Sequence, residues 1–282
     1  HFYREMRFLD FSVPEARAYA ESVFQKVFRE WGFQGCKLDY WSMGFDQHDV
    51  ECRLGDQTSM EHMRWFAETL RDYVGPDGLL LYGIDLPFGS PLRSKPFDQF
   101  RYYADSEGSC QSMDAMREQA LWAAFLVGLY QVQRYWVPDG DGLGLFSHFD
   151  MPARHFRLWG SFLLGSGTLT ELAGWLHQAK SPRLEVLKRF VRHARLGDSV
   201  ELPGYSFSQA DADPPALWVR RAETGPNLVS ATNWDAKPLL VSLTAQLFGG
   251  AERVRDILTD EVLALPFEGE IPPEDGRAWI GA

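Results

Sequence analysis

The sequence predicts an α/β chain: a parallel (β/α)8 TIM barrel, incomplete here by its first strands, followed by a small all-β sandwich. Three observations predict this. Over residues 1–200, short apolar runs alternate with segments of helical period, the pattern of βα units. About six such strands are legible, two short of the eight that close a barrel. After about residue 200 the helical period disappears, and short apolar runs separated by turn residues take over. Residues 1–200 are therefore read as barrel, from about the third strand onward, and residues 201–282 as sandwich.

Arg4 to Phe11 reads as the first strand. Ser12-Val13-Pro14-Glu15 then has the spacing of a capping box with proline in the first turn. Tyr19, Val23, Val27 and Trp31 follow at i, i+4 spacing, which predicts one buried helical stripe ending at Gly32. Gln34 to Trp41 is the next strand, and 42–57 a long polar loop of the kind that usually carries function. Thr58 to Tyr73 reads as a helix, with Met60, Met63, Leu70 and Tyr73 on one side, stopped by Gly75-Pro76-Asp77-Gly78. Leu79 to Ile84 is a near-continuous apolar run, which predicts a strand buried on both faces.

Further on, Gln99 to Ala104 and Val132 to Val137 are predicted strands, and Pro138 to Gly142 a tight loop. Met113 to Tyr130, Pro152 to Leu164 and Pro182 to Arg195 are predicted helices, with a short strand over Thr168 to Leu172. In the last third, Leu217–Arg221, Leu228–Asn233, Leu239–Leu243, Arg253–Leu258 and Ala278–Ile280 are the candidate strands.

Composition narrows the function. Apolar residues make up 45% of the 282, enough for a sizeable core, so intrinsic disorder is excluded as the main description. The net charge of −11 argues against nucleic acid or an anionic membrane as partner. No 18-residue apolar run exists that could span a bilayer. Three cysteines, Cys36, Cys52 and Cys110, form no disulfide framework and no metal clip, so a reducing, cytoplasmic setting is expected. The chain opens on His1 with no leader pattern behind it, so an internal start is expected. Ten tryptophans suit sugar faces and ordinary cores alike.

In a barrel, catalytic groups sit at the C-terminal ends of strands. Asp10, Lys37 with Asp39, Asp85, Asp105 and Asp139 all fall there. Residues two apart on a strand share a face, so Lys37 and Asp39 would both look into the barrel mouth. A neighbouring ammonium keeps a carboxylate ionised, as a nucleophile requires; a structural Lys–Asp pair is the plainer alternative. Arg101, Tyr103 and Asp105 share the face of a second strand if that strand reaches so far, with an Arg–Asp pair closing the strand end as the plainer alternative and Glu107 a rival acid two residues on. Two carboxylates on one pocket, one nucleophile and one acid/base, are the machinery of glycoside hydrolysis. Glycine-rich phosphate loops, calcium loops, HExxH metal sites and nucleophile elbows are absent or truncated.

FLDFSVPEARAYAESVFQKVFREWGFQGCKLDYW resembles the stretch from third to fourth barrel strand in bacterial α-galactosidases of glycoside hydrolase family 36, and shares a general pattern with family 27 of the same clan. VGPDG, LLLYG, RYWVPDGDGL and the tail LVSATNWDAKP to VRDILTDEVL resemble the same family in order and spacing. The resemblance implies that Asp39 of Lys-x-Asp is the nucleophile, and that Asp105, four residues after Arg101, is the acid/base. It places Asp139 and Asp141 on the acids of the family's Trp-x-x-Asp-Pro-Asp segment. Departures at Gly83-Ile84-Asp85-Leu86-Pro87, Asp139-Gly140-Asp141 and around Asp105 bear on substrate identity. Lys37 and Arg101 are expected to bind sugar hydroxyls or orient carboxylates; Asp85 is a further candidate sugar contact. Tyr40 and Trp41 are candidate pocket walls, or packing.

The expectation is a retaining α-glycosidase, an α-galactosidase before others, acting on an α-galactoside or related oligosaccharide with no metal or organic cofactor. A transglycosylase of the raffinose-synthase kind, an α-N-acetylgalactosaminidase and a catalytically silent sugar-binding barrel are the alternatives. An upstream segment or companion chain is expected to complete the barrel, and a homo-oligomer is left open.

Overall fold

Proline in a first helical turn loses no hydrogen bond, and α1 begins on Pro14 (Pro14–Phe24). It runs on as a wider π-helical stretch, Gln25–Glu30, and Gly32 turns the chain out with φ of 74°. The computed structural model describes residues 8–39, 41, 45, 52–55, 57–83, 95–101, 113–130, 137–144, 152–173, 181–194, 199–206 and 213–282. The chain forms two compact units, residues 1–101 and 102–282.

In the first unit, residues 8–11, the described part of the predicted first strand, are not in a strand. Val13 is the N-cap of α1 and no side chain caps it. The predicted capping box fails because the Ser12 hydroxyl instead accepts the backbone N–H of Leu54 at 3.0 Å. The predicted stripe is corrected as well. Tyr19 is 60% exposed and Trp31 61%, while Ala20, Phe24 and Phe28, one residue further round, are buried. Phe24 stands edge-on to Phe66 and Tyr73 of α2 (Ser59–Val74). That helix starts with a full capping box between Thr58 and Glu61 and ends at Gly75, φ 84°.

Three parallel strands follow this framework: β1 (Gly35–Leu38), β2 (Leu79–Tyr82) and β3 (Gln99–Arg101). Cys36 pairs with Leu80 and Leu38 with Tyr82; Tyr82 pairs in turn with Phe100. Over Leu79–Tyr82, the strand within the predicted run 79–84, burial is not on both faces as predicted. Leu80 and Tyr82 are buried, whereas Leu79 is 53% exposed, so β2 alternates. The N-terminal ends of β2 and β3 are clamped by Arg71. Its guanidinium donates to the carbonyls of Pro96, Gly75 and Gly78 and to Asp98 Oδ2 at 2.6 Å, and Asp98 also accepts from Leu80 N–H.

The second unit carries α3 (Met113–Tyr130), β4 (Val137–Gly144), α4 (Ala153–Ser166), β5 (Leu169–Ala173) and α5 (Ser181–His193). β4 and β5 are parallel, with a bulge between Asp139 and Gly142. The predicted tight loop 138–142 is thus a strand; residues 132–136 of the predicted strand lie outside the described ones. A six-stranded antiparallel sheet follows, in the order β11-β10-β13-β8-β7-β6. Its strands are β6 (Ser199–Glu201), β7 (Leu217–Arg221), β8 (Leu228–Asn233), β10 (Arg253–Asp256), β11 (Val262–Ala264) and β13 (Asp275–Gly281). β9 (Leu239–Leu243) and β12 (Phe267–Ile271) pair as a separate ribbon.

Alternation along the strands gives this sheet two covered faces. Val219, Val229, Ala231 and Trp279 meet Val241, Leu243 and Ile271 of the ribbon in one core. Trp218 faces the other way, edge-on to Phe162 of α4. α4 is buried over Phe156 and then over every residue from Leu158 to Ser166. It lies close because glycines remove the side chains between: a Cβ on Gly165 would fall 1.9 Å from Ser230 Oγ, and one on Gly276 2.8 Å from Leu158 Cα. Its C-terminal carbonyl end meets the Arg220 guanidinium, which donates to Leu164 O at 2.9 Å, a cation at the negative end of a helix. At its other end Arg157 pairs with Asp275 through two hydrogen bonds.

Candidate active site

The C-terminal ends of β1, β2 and β3 end in step. Leu38, Tyr82 and Phe100 form the last paired row of the three strands, and Asp39, Gly83 and Arg101 are the residues that follow it. Gly83 N–H donates to Leu38 O at 2.6 Å, which closes the β1–β2 ladder beside Asp39. Lys37 and Gln99 belong to one paired row with Leu81, and residues two further along a strand return to the same face, which puts Asp39 and Arg101 on it. Two strand spacings separate their backbones by about 10 Å. Lys37, Leu81 and Gln99 form the same-face row below.

The two faces differ in chemistry. One carries Lys37, Asp39, Gln99 and Arg101. The other carries Leu80, Tyr82 and Phe100, packed among rings; Tyr82 lies 4.5 Å from Phe100 and 4.8 Å from Phe97 between centroids. The polar face would be the barrel interior in a barrel built from these strands, and its C-terminal rim is where such folds place chemistry.

Lys37 and Asp39 are exposed, and Arg101 is 6% exposed. Gln99 is buried, with Oε1 accepting from Tyr82 N–H at 3.0 Å, so its amide is held flat across β2. A Cβ on Gly83 would lie 2.7 Å from Asp39 Oδ1, so the Asp39 carboxylate leans over the glycine. The structure thus brings Lys37, Asp39 and Arg101 to one face. Tyr40, Asp85, Asp105 and Glu107 lie outside the described residues.

Trp41 stands among Phe45, Phe66, Tyr82 and Phe97, all within 6.0 Å between centroids. Of its two expected roles, packing is the one these contacts describe. Asp10 does not present a free carboxylate. Oδ1 accepts from Ser12 N–H and Oδ2 from Arg53 N–H, at 2.9 and 2.8 Å. Partial burial pushes its pKa up, but the hydrogen bonds from Ser12 and Arg53 outweigh it and hold the carboxyl below its ordinary value. Asp10 therefore ties residues 53–54 to the entry of α1. Arg17 extends the tie, donating to Phe11 O and Gln57, meeting His62 Nδ1 at 3.0 Å and covering the Trp65 ring. Asp139 is fully buried in β4. Among the described residues, no three His, Cys, Asp or Glu side chains gather as a metal site.

Sequence reasoning missed Gln99 and Gly83. The signal for Gly83 was present: a glycine closing an apolar strand, LLLYG, where backbones approach closely.

No protein-family model matches the sequence, and no curated protein matches it. Solved structures match over nearly all of it. A family 27 β-L-arabinopyranosidase from Geobacillus stearothermophilus superposes with a TM-score of 0.67 at 18% identity, covering 95% of this chain and 61% of that one. α-Galactosidase I from Mortierella vinacea gives 0.61 at 13% identity, covering 93% and 71%. The isomalto-dextranase from Arthrobacter globiformis T6, complexed with panose, gives 0.66 at 13%, covering 97% and 49%. The chain has the fold of these glycoside hydrolases. It spans about three-fifths of the length of the arabinopyranosidase.

Proposed function

We propose that this chain is the catalytic part of a retaining α-glycosidase, with terminal α-galactosides as the first substrate class. The observation that carries the reading is the placing of Asp39, Gly83 and Arg101 just past the last paired row of β1, β2 and β3. An exposed carboxylate with Lys37 beside it, at the C-terminal ends of parallel strands, stands in a fold shared with glycosidases. Asp39 is the nucleophile. One carboxylate oxygen bonds the anomeric carbon as the glycosidic C–O bond breaks and its electron pair leaves with the aglycone oxygen. Asp105 gives that oxygen its proton, then takes one from the water that releases the sugar from Asp39. Lys37 and Arg101 hold sugar hydroxyls or the carboxylates, and Asp85 is a further sugar contact. The family 36 resemblance supports these roles, and the departures around Asp85 and Asp105 keep the α-N-acetylgalactosaminidase and transglycosylase readings in the test.

The fold we propose for the working protein is a closed eight-stranded barrel. Tyr19 and Val23 on α1, with Trp31 just past its π-helical continuation, are exposed apolar side chains, the kind of surface that a preceding βα unit covers in a barrel. The greater length of the structural relatives supports such a unit, supplied by a longer polypeptide or a companion chain.

The test is hydrolysis of aryl α-galactoside by the barrel-complete protein, wild type beside Asp39→Asn, with the aryl α-glucoside and α-N-acetylgalactosaminide in parallel. Galactoside turnover that falls by several orders of magnitude in Asp39→Asn is the expected result. Turnover unaffected by Asp39→Asn removes Asp39 from the mechanism. A folded wild type that binds galactose and turns over none of the three is a silent sugar-binding barrel.

A further inference from the structure

We propose that Gly83 is a positioning residue for Asp39: its missing side chain is the space in which the carboxylate stands. This rests on the reading of Asp39 as nucleophile. Glycine is commonly kept for its backbone freedom, but Gly83 is not among the glycines at positive φ, which are Gly32, Gly75, Gly167, Gly204, Gly225, Gly249 and Gly250 among the described residues. Its backbone conformation is open to other residues. What excludes them is space. A Cβ there would lie 2.6 Å from Leu38 O, 2.7 Å from Asp39 Oδ1 and 3.0 Å from Asp39 Cα. All three atoms belong to the end of β1 that carries the nucleophile. Ordinary contact needs several tenths of an ångström more at each, and the end of β1 is the part that gives. Gly83 thus leaves open the space beside Asp39 just past the last paired row of the three strands.

Displacing the carboxylate changes the rate more than the binding. Bond formation needs the attacking oxygen near about 3–3.5 Å from the anomeric carbon and in line with the leaving oxygen, and a shift of about 1 Å can cost about 100-fold. Sugar contacts made elsewhere in the pocket are not altered by it. Gly83→Ala is therefore expected to lower kcat by about 10- to 100-fold on this scale while KM changes little.

The sheet supplies its own control. At the other end of β2, a Cβ on Gly78 would lie 2.4 Å from Val74 Cγ1, 2.6 Å from Val74 O and 2.7 Å from Gln34 O. Gly78→Ala thus crowds the same strand to the same degree, away from Asp39. Wild type, Gly83→Ala, Gly78→Ala and Asp39→Asn, each as the barrel-complete protein, are compared for thermal midpoint, kcat and KM on aryl α-galactoside. Both alanine variants are expected to lose stability, and only Gly83→Ala to lose kcat at nearly constant KM. Equal kcat losses in the two, or wild-type kcat in a folded Gly83→Ala, overturn the proposal. Wild-type kcat in Asp39→Asn overturns instead the reading on which it rests. Asp39→Gly/Gly83→Ala completes the cycle, with azide as external nucleophile and the aryl oxide leaving. The proposal expects azide-dependent turnover equal to that of Asp39→Gly alone, because the carboxylate that the added methyl would displace is gone. If Gly83→Ala fails to fold, recovery of folding in this double variant supports the proposal. Continued failure assigns Gly83 to the Leu38 carbonyl and overturns it.

Discussion

Gly165→Ala tests how tightly α4 is seated on the six-stranded sheet. The added methyl carbon would fall 1.9 Å from Ser230 Oγ, 2.7 Å from Trp218 Cβ and 3.1 Å from Ser230 Cβ. Ser230 and Trp218 are both fully buried, in neighbouring strands β8 and β7. The helix must therefore lift by about 1 Å or the strands must part, and forced overpacking of this kind costs about 1–3 kcal/mol. Replacing glycine within a helix returns at most about 1 kcal/mol, and less here, since Gly165 is next to the last residue of α4. The expected balance is a loss of about 1–2 kcal/mol, a drop of roughly 3–6 °C in thermal midpoint for a domain of this size. Ser230→Ala removes the nearest atom. Its hydroxyl is buried and makes no hydrogen bond among the described residues, so that change alone is expected to be neutral or mildly stabilising. In the Ser230→Ala background, Gly165→Ala should cost at least about 0.5 kcal/mol less, a coupling of the size that touching residues show. Thermal melts and urea titrations of the four proteins, followed by tryptophan fluorescence, measure the cycle. A Gly165→Ala protein that melts higher than wild type, or a cost unchanged by removing Ser230 Oγ, refutes the close-seating account.

Three other outcomes follow from the structure. Thr58→Ala removes the hydroxyl of the α2 capping box and should cost about 1 kcal/mol, read as a lower urea midpoint. Glu274 is held below its ordinary value of 4.5 by the hydrogen bond from His155, then by Arg154. A carboxyl lowered by folding stabilises above its unfolded value and loses that contribution as pH falls through the lower folded value. Stability should thus fall between pH 5 and 3 more steeply in wild type than in Glu274→Gln, measured as urea midpoint against pH. Burial pushes the Cys36 thiol up to about 11, partly countered by Arg71. Iodoacetamide at pH 8 should leave Cys36 unmodified in the native protein and alkylate it in urea, read by peptide mass.

Much of the fold was legible because its period was strong. Met113–Tyr130 forms the predicted helix, and Leu217–Arg221, Leu228–Asn233 and Leu239–Leu243 form the predicted strands. The misses have physical causes. α1 and its π-helical continuation carry two adjacent apolar rows, Tyr19/Val23/Trp31 and Ala20/Phe24/Phe28, and spacing alone does not say which meets α2. Ser12 has the right distance to Glu15 for a cap, but Leu54 N–H, 42 residues away, takes its hydroxyl. β4 reads VPDGDGLG, a turn by composition, and is a strand through its pairing with β5. At the candidate site, the shared face of Lys37 and Asp39 followed from a two-residue period. Their alignment with Gly83 and Arg101 did not, because register between parallel strands is set by packing across long crossovers rather than by any local pattern.

The seating of α4 also bears on where this chain can be cut. Phe162 of α4 stands edge-on to Trp218 and Trp234, and Ser230 and Gly276 close on the helix at Gly165 and Leu158, so the later strands cover one side of a helix whose residues 158–166 are all buried. Ending translation after residue 200 would uncover that side, with Arg157 and Arg220's carbonyl partner Leu164 both stripped of their contacts. Such a truncation should collect in inclusion bodies. Gene fusions and domain exchanges that respect this protein should place their junctions outside the span from α4 to β13.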